Sequence, residues 1–247
     1  MLLRRLSQHV KEQNWTAVAI DFVIVVVGVF IGIQVANWNE VRIESAREAA
    51  ILAQLKDEFS EIGEALTKQI AFREGYATDL QNLIAVLEGN VSSSTSADIE
   101  RALVAARSTG RRPAKSAAYV QLTASGQLAR LSSESLKSKL IRYHSLLDRE
   151  AFIFPELMDL VVQESTQNDA VDFDVKAFAA AGAAVDYQGD EANENLKAIR
   201  RYDLAKLRQY EQRYELLHMF HRALASSERK QLQLVNDILD EVSADKR

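Results

Sequence analysis

Apolar residues are arranged along this chain in two ways, and each predicts a different kind of element. Over residues 22–33 every position is apolar or glycine, and Asp21 is the only ionisable residue between positions 18 and 36. An unbroken run of this kind is the composition of a helix that meets hydrocarbon on all sides. Trp15 and Trp38 bracket the run. At 1.5 Å per helical residue they stand about 35 Å apart, close to the spacing of the two interfacial belts around a ~30 Å hydrocarbon core. The expected organisation is an N-terminal segment over 1–14, a transmembrane helix over 15–38 and a soluble domain over 39–247.

Beyond the span the pattern becomes periodic. Leu52, Leu55, Phe59, Ile62, Leu66, Gln69 or Ile70, then Leu80, Leu83 and Leu87 follow alternating steps of three and four, one stripe of an amphipathic helix. No Gly or Pro lies between Ile33 and Ile62, so the membrane helix is expected to run directly into this one. The stripe suits either a coiled coil between subunits or one wall of an intramolecular bundle. The bundle is preferred because further helices are available to cover it. Gly89 and Asn90 should end this helix, and residues 91–96 read as a loop. Thr95 or Ser96 then caps a helix over about 97–108, which Gly110 and Pro113 close. A short helix is expected over about 115–125, with Gly126 as its left-handed terminator, and Ser132 or Ser133 caps a longer helix reaching about 166. Leu136, Leu140, Tyr143, Leu147 and Phe154 give that helix a core face, and Pro155 should kink or interrupt it. Residues 167–195, around Phe173, Phe178 and Tyr187, hold no sustained period and read as a partly ordered excursion. A final helix is expected over about 194–243, carrying Leu196, Ile199, Leu207, Tyr210, Leu217, Leu224, Leu232, Val235, Leu239 and Val242. The predicted fold is all-α: an N-terminal transmembrane helix continuing into an antiparallel bundle of long helices.

Composition agrees with this reading. Among 247 residues, 47% are hydrophobic and only 9 are Gly and 2 Pro, enough apolar material for one bundle-sized domain and few helix breakers. The net charge of -5 and the lack of a basic stripe argue against nucleic acid as a partner, because phosphate backbones are held by concentrated positive charge. With no cysteine, disulfides, thiolate catalysis and cysteine metal sites are excluded.

Charge also orients the span. Arg4, Arg5 and Lys11 precede it, whereas Arg42 and Arg47 follow among Glu40, Glu44 and Glu48. That bias places the N-terminus in the cytoplasm and the C-terminal domain in the periplasm of a bacterial inner membrane. A cleaved signal peptide is the competing reading, but Gln34 and Ala36 make a poor small-x-small cleavage site, so an uncleaved signal anchor is expected.

Two features of the span carry candidate function. Gly28, Gly32 and Ala36 recur every four residues, a small-xxx-small stripe that allows a second helix to approach closely, or else the ordinary small-residue content of a membrane helix. Asp21 falls close to the same face, seven residues before Gly28. A carboxylate inside a span marks an ion path or partner site, or it sits within reach of interfacial water and fixes helix depth, the reading preferred here. Single-span stator subunits of proton-driven motors are similar in this general arrangement. Trp15 and Trp38 are the expected interfacial anchors.

Elsewhere the chemistry is sparse. His9, His144, His218 and His221 are the only histidines; His218 and His221 share a helical face, and His144 could join them. Carboxylate-bridged metal bundles repeat Glu-x-x-His on two helices, whereas here Glu215 and His218 form that motif once, so no metal or cofactor is expected. The run Arg200, Arg201, Tyr202, Tyr210, Arg213 and Tyr214 could bind an anion but is explained by a solvated helix face. No phosphate loop, nucleophile elbow or paired-histidine metalloprotease motif occurs, so no enzymatic activity is expected.

The segments Met1-Leu2-Leu3-Arg4-Arg5, Asn14-Trp15, and Gln34-Val35-Ala36-Asn37-Trp38-Asn39-Glu40 around the span resemble a family of uncharacterised bacterial single-pass membrane proteins, classed as a domain of unknown function. Ala118-Tyr119-Val120-Gln121-Leu122-Thr123-Ala124-Ser125-Gly126-Gln127-Leu128, followed by Leu136 and Tyr143, is similar to an inner helix-turn-helix of that family. The resemblance implies the anchored architecture and an inner-membrane location, and it carries no catalytic residue. The expected role is a non-enzymatic membrane-anchored scaffold, sensor or accessory subunit of an envelope assembly. Its partners would be the lipid bilayer and either a second copy or another envelope protein. The alternative is an oligomeric ion-conducting or proton-coupled assembly using Asp21, and a helical-bundle hydrolase or metal enzyme is a third class.

Overall fold

The computed structural model of the protein describes residues 15–90, 94–110, 115–184 and 198–244. Its first helix, α1, spans Trp15–Leu87 without a break, so the span runs directly into the amphipathic helix, as the absence of Gly and Pro between Ile33 and Ile62 predicts. The chain divides into two compact units, Met1–Leu52 and Ala53–Arg247.

In the first unit every described side chain from residue 19 to 43 is exposed. Phe22, Ile24, Phe30 and Ile33, which would line a core in a soluble helix, all face outward. The protein therefore has one helix near its N-terminus that is long and apolar enough to cross a membrane, with none of its apolar window buried inside the fold.

The second unit is a helical bundle. After α1 come α2 (Ser96–Ala105), α3 (Ala117–Ala124), a 3₁₀ turn over Gln127–Arg130 and α4 (Glu134–Gln167). Next follow β1 (Val171–Phe173), α5 (Val175–Ala184), β2 (Ile199–Tyr202), the short α6 (Leu204–Leu207), a second 3₁₀ turn over Arg208–Tyr210 and α7 (Glu211–Ala244). The predicted stripe is the core face of α1: Leu55, Phe59, Ile62, Leu66, Ile70, Leu80, Leu83 and Leu87 are all buried. Each such side chain contributes about 1.5–3 kcal/mol relative to its exposed state. Helix α7 runs antiparallel to α1: Gly63 lies opposite Val235, Arg73 opposite Glu228, and His218 meets the Ala77 carbonyl. A Cβ on Gly63 would come within 3.2 Å of Val235 Cγ1, so glycine marks a close approach of the two helices. Helix α4 is antiparallel to α7 as well, since Lys139 pairs with Glu241 and Glu150 with Gln231. The stripe thus belongs to an intramolecular bundle.

Local chemistry sets the helix ends. Thr95 caps α2 in a reciprocal capping box with Asp98, Ser116 caps α3, and Ser133 caps α4 through the Leu136 amide. Gly89, Gly110 and Gly126 take positive φ of 81°, 65° and 70°, the left-handed conformation that suits glycine at a helix exit. Pro113, Tyr187 and Leu196 lie outside the described residues.

Two expectations need correction. Of the kink or interruption expected at Pro155, the interruption does not occur, and α4 runs through it. Pro155 is exposed, so the Ala151 carbonyl it leaves without an amide donor is close to water, while Leu147, Leu157 and Val161 hold both flanks in the core. The last helix begins at Glu211, far later than position 194. The residues before it form β2, which pairs antiparallel with β1 and joins Val171 to Tyr202 and Phe173 to Ile199 across a bulge. Burial of Val171 and Ile199, an Arg200–Asp174 ion pair and the Asp203 cap of α6 hold this ribbon against helix propensity. Part of the expected excursion is therefore ordered, with the Phe173 and Phe178 rings 5.2 Å apart.

Candidate functional site

The residues singled out in the span remain on one continuous helix. Asp21, Gly28, Gly32, Ala36 and Trp38 are all exposed, and Arg42 lies over the Trp38 ring at 5.6 Å. Trp15 opens α1; its side chain lies outside the described residues. A Cβ added at Gly28 or Gly32 would meet nothing within 4 Å. Each helical glycine costs about 0.5–1 kcal/mol relative to alanine, and here no contact within the chain requires it.

The bundle holds a second feature, which no sequence motif marks: a layer of charged and polar side chains inside the core. Arg73 and Glu228, only 1% and 0% exposed, form an ion pair of 2.5 Å between α1 and α7. Arg73 Nη1 also donates to the Thr109 carbonyl at 3.0 Å, and Gln231 Nε2 donates to Glu150 Oε1 at 2.7 Å. Beside them His221 is fully buried, its ring edge-on to Tyr76. Among the described residues, Glu228 Oε2, Gln231 Oε1 and both His221 ring nitrogens have no hydrogen-bond partner. One end of the bundle carries a more fully satisfied network. Glu164 Oε1 takes Arg107 Nη2 at 3.0 Å, Asn168 Nδ2 at 2.6 Å and the Tyr214 hydroxyl at 3.2 Å, while Glu164 Oε2 faces Arg213 at 3.4 Å. Arg107 also lies 4.9 Å over the Phe173 ring.

Burial dominates the electrostatics of this layer. It pushes Glu228 up to about 7, against the pull of Arg73, and pushes Glu164 up against Arg107. It drives His221 down to about 3, with the nearby Arg73 charge acting in the same direction. The two shifts act oppositely on stability. A raised Glu228 contributes stability below its ordinary range near 4.5 that is lost as pH rises through about 7. A depressed His221 contributes stability above about 6.5 that is lost as pH falls through about 3. Between pH 4.5 and 6.5 these two contributions oppose each other. Glu228→Gln removes the one that falls with pH, so relative to wild type its melting temperature, followed by circular dichroism, should climb with pH across that interval. A difference from wild type that does not change with pH would show that Glu228 does not titrate in it.

The three histidines of the bundle do not converge. His144 Nδ1 meets the Leu140 carbonyl at 2.8 Å, its Nε2 accepts from the Ser116 amide at 3.3 Å, and its ring stacks 3.6 Å from Tyr119. His218 bonds the Ala77 carbonyl at 2.8 Å and His221 points into the core. His9 lies outside the described residues. Glu215 instead approaches Glu88 and Glu211 at the surface, an acidic group without a histidine. The arginine and tyrosine run is also dispersed: Arg200 pairs with Asp174, Tyr202 meets Ser96, Tyr210 meets Asp169, and Arg213 and Tyr214 serve Glu164.

One signal in the sequence does mark the buried layer. Arg73 follows Ile70 by three and precedes Ala77 by four, while Glu228 follows Leu224 by four and precedes Val235 by seven, so charged residues occupy seats of apolar stripes. Glu150 follows Leu147 by three and precedes Leu157 by seven, and Glu164 follows Val161 by three. No protein-family model, curated protein or solved structure matches the chain.

Proposed function

We propose that this protein is a membrane-anchored, non-enzymatic helical module that self-associates through its span and serves as a scaffold, sensor or accessory subunit of a bacterial envelope assembly. The observation that carries this reading is the span itself. Its apolar surface is exposed and, among the described residues, nothing lies within 4 Å of a Cβ added at two of its glycines. Lipid satisfies the apolar surface, and a second copy laid along Gly28, Gly32 and Ala36 gives the glycines a role, because small residues let two helix backbones approach. The mass of the membrane-embedded complex tests self-association. The N-terminus is assigned to the cytoplasm and the bundle to the periplasm of the inner membrane, on the balance of Arg4, Arg5 and Lys11 against the mixed charges after the span. Membership of the single-pass family resembled by the N-terminal segments is part of the same proposal.

Asp21 separates this reading from its rival, an ion-conducting or proton-coupled assembly. Under the scaffold reading, Asp21→Asn keeps the assembly mass of wild type, and wild-type protein in liposomes passes no more protons than empty liposomes. A proton flux in wild type that Asp21→Asn abolishes would favour the ion path.

A further inference from the structure

Helices α4 and α7 leave a cleft of about 540 Å³ along their outer seam, within the range of small-ligand sites. Its walls follow from helical periodicity. On α4, positions 142, 145, 146, 149 and 153 form one stripe; on α7, positions 223, 226, 227, 230, 234 and 237 form the other. The Glu150–Gln231 and Lys139–Glu241 contacts fix the antiparallel register, placing Arg149 level with Lys230 and Arg142 level with Asp237. Arg149 and Lys230 therefore line the middle of the cleft from opposite walls. The hydroxyls of Ser226 and Ser227 lie beyond Lys230 along α7, and Ile153 supplies apolar surface.

These cations stand apart from others on the same helices. Lys137, Lys139, Arg213 and Arg229 each hold a carboxylate partner. Arg142, Arg149 and Lys230 have no carboxylate within ion-pair distance among the described residues, although the chain carries an excess of acid. We propose that the Arg149–Lys230 pair of this cleft binds a phosphate-bearing anion. A guanidinium offers a planar fork to two phosphate oxygens, an ammonium adds a compact charge to a third, and serine hydroxyls can donate to the remainder. A single carboxylate would be satisfied by the arginine alone, so the opposed pair favours the larger charge of a phosphate group. Both a soluble phosphate compound and a phospholipid headgroup present this chemistry.

The test uses the full-length protein in neutral-lipid nanodiscs, titrated calorimetrically with sodium pyrophosphate and, separately, with dihexanoylphosphatidylglycerol below its micelle concentration. Wild type should bind at least one probe, more weakly as salt rises. Arg149→Ala with Lys230→Ala should weaken that binding by roughly tenfold or more. Both side chains are exposed, so the double variant should melt with wild type, and Lys230→Gln alone repeats the test with a smaller change. Tighter binding of the lipid probe identifies a headgroup site, and tighter binding of pyrophosphate identifies a soluble anion. Binding of neither probe at millimolar concentration, or equal binding by wild type and the variants, would overturn the proposal.

Discussion

Arg73→Leu is expected to lower the melting temperature by roughly 6–20 °C, the consequence of losing about 3–5 kcal/mol when a buried ion pair is broken from one side in a unit of this size. The substitution leaves Glu228 fully buried, with Oε1 deprived of its 2.5 Å partner and Oε2 already without one. It also removes the Arg73 bond to the Thr109 carbonyl, which fastens the chain after α2 to α1. Glu228 can escape the cost only by taking up a proton, which the loss of Arg73 favours, so the penalty should be smallest at and below about pH 7 and grow as pH rises above it. Arg73→Leu with Glu228→Leu should recover most of the loss, because apolar residues in place of a buried pair are often neutral or stabilising. Thermal melts of the two variants and wild type check this. A single variant as stable as wild type would mean that the pair contributes nothing to the fold.

That comparison bears on why the pair is present. If the double leucine variant is as stable as wild type, the charges serve the choice of partner face on α7 rather than stability. An arginine on α1 that must meet a glutamate on α7 penalises every other register of two long stripes. Gln231 with Glu150 applies the same constraint between α7 and α4. The half-satisfied state of this layer, with Glu228 Oε2, Gln231 Oε1 and the His221 ring lacking partners, makes it the most sensitive part of the core.

What could be read in advance follows from which forces are local. The span, the stripe of α1 and the caps at Thr95 and Ser133 depend on residues within a turn or two of one another, so composition and period disclose them. The stretch from Ile199 to Tyr202 does not. Its residues are compatible with a helix, and they become a strand because Val171, Phe173 and Asp174, distant in sequence, offer a paired edge and an ion partner. Pro155 is a strong breaker by local rules, yet core contacts on either side override it. Candidate chemistry divides the same way. His144, His218 and His221 could be drawn together on periodicity, but packing sends each to a different backbone or aromatic neighbour. The Arg149–Lys230 pair is invisible until the register of α4 against α7 is known, because neither helix alone brings the two cations together.

The second large effect concerns the span. Leucine at Gly28 and Gly32 fills the groove that would let two backbones approach, yet it is tolerated within its own chain, since a Cβ at either position would meet nothing within 4 Å. The substitution also raises helix propensity and hydrophobicity, so insertion into the bilayer and folding of the bundle should persist. Any change in mass then reports on contacts between chains and not on misfolding. Equal melting of wild type and variant serves as the control.

The central measurement is therefore the mass of the complex released from native membranes in mild detergent, for wild type and for Gly28→Leu with Gly32→Leu. The account predicts a defined homo-oligomer for wild type and a monomer for the variant. A wild-type monomer, or an oligomer whose mass the two leucines leave unchanged, would contradict it.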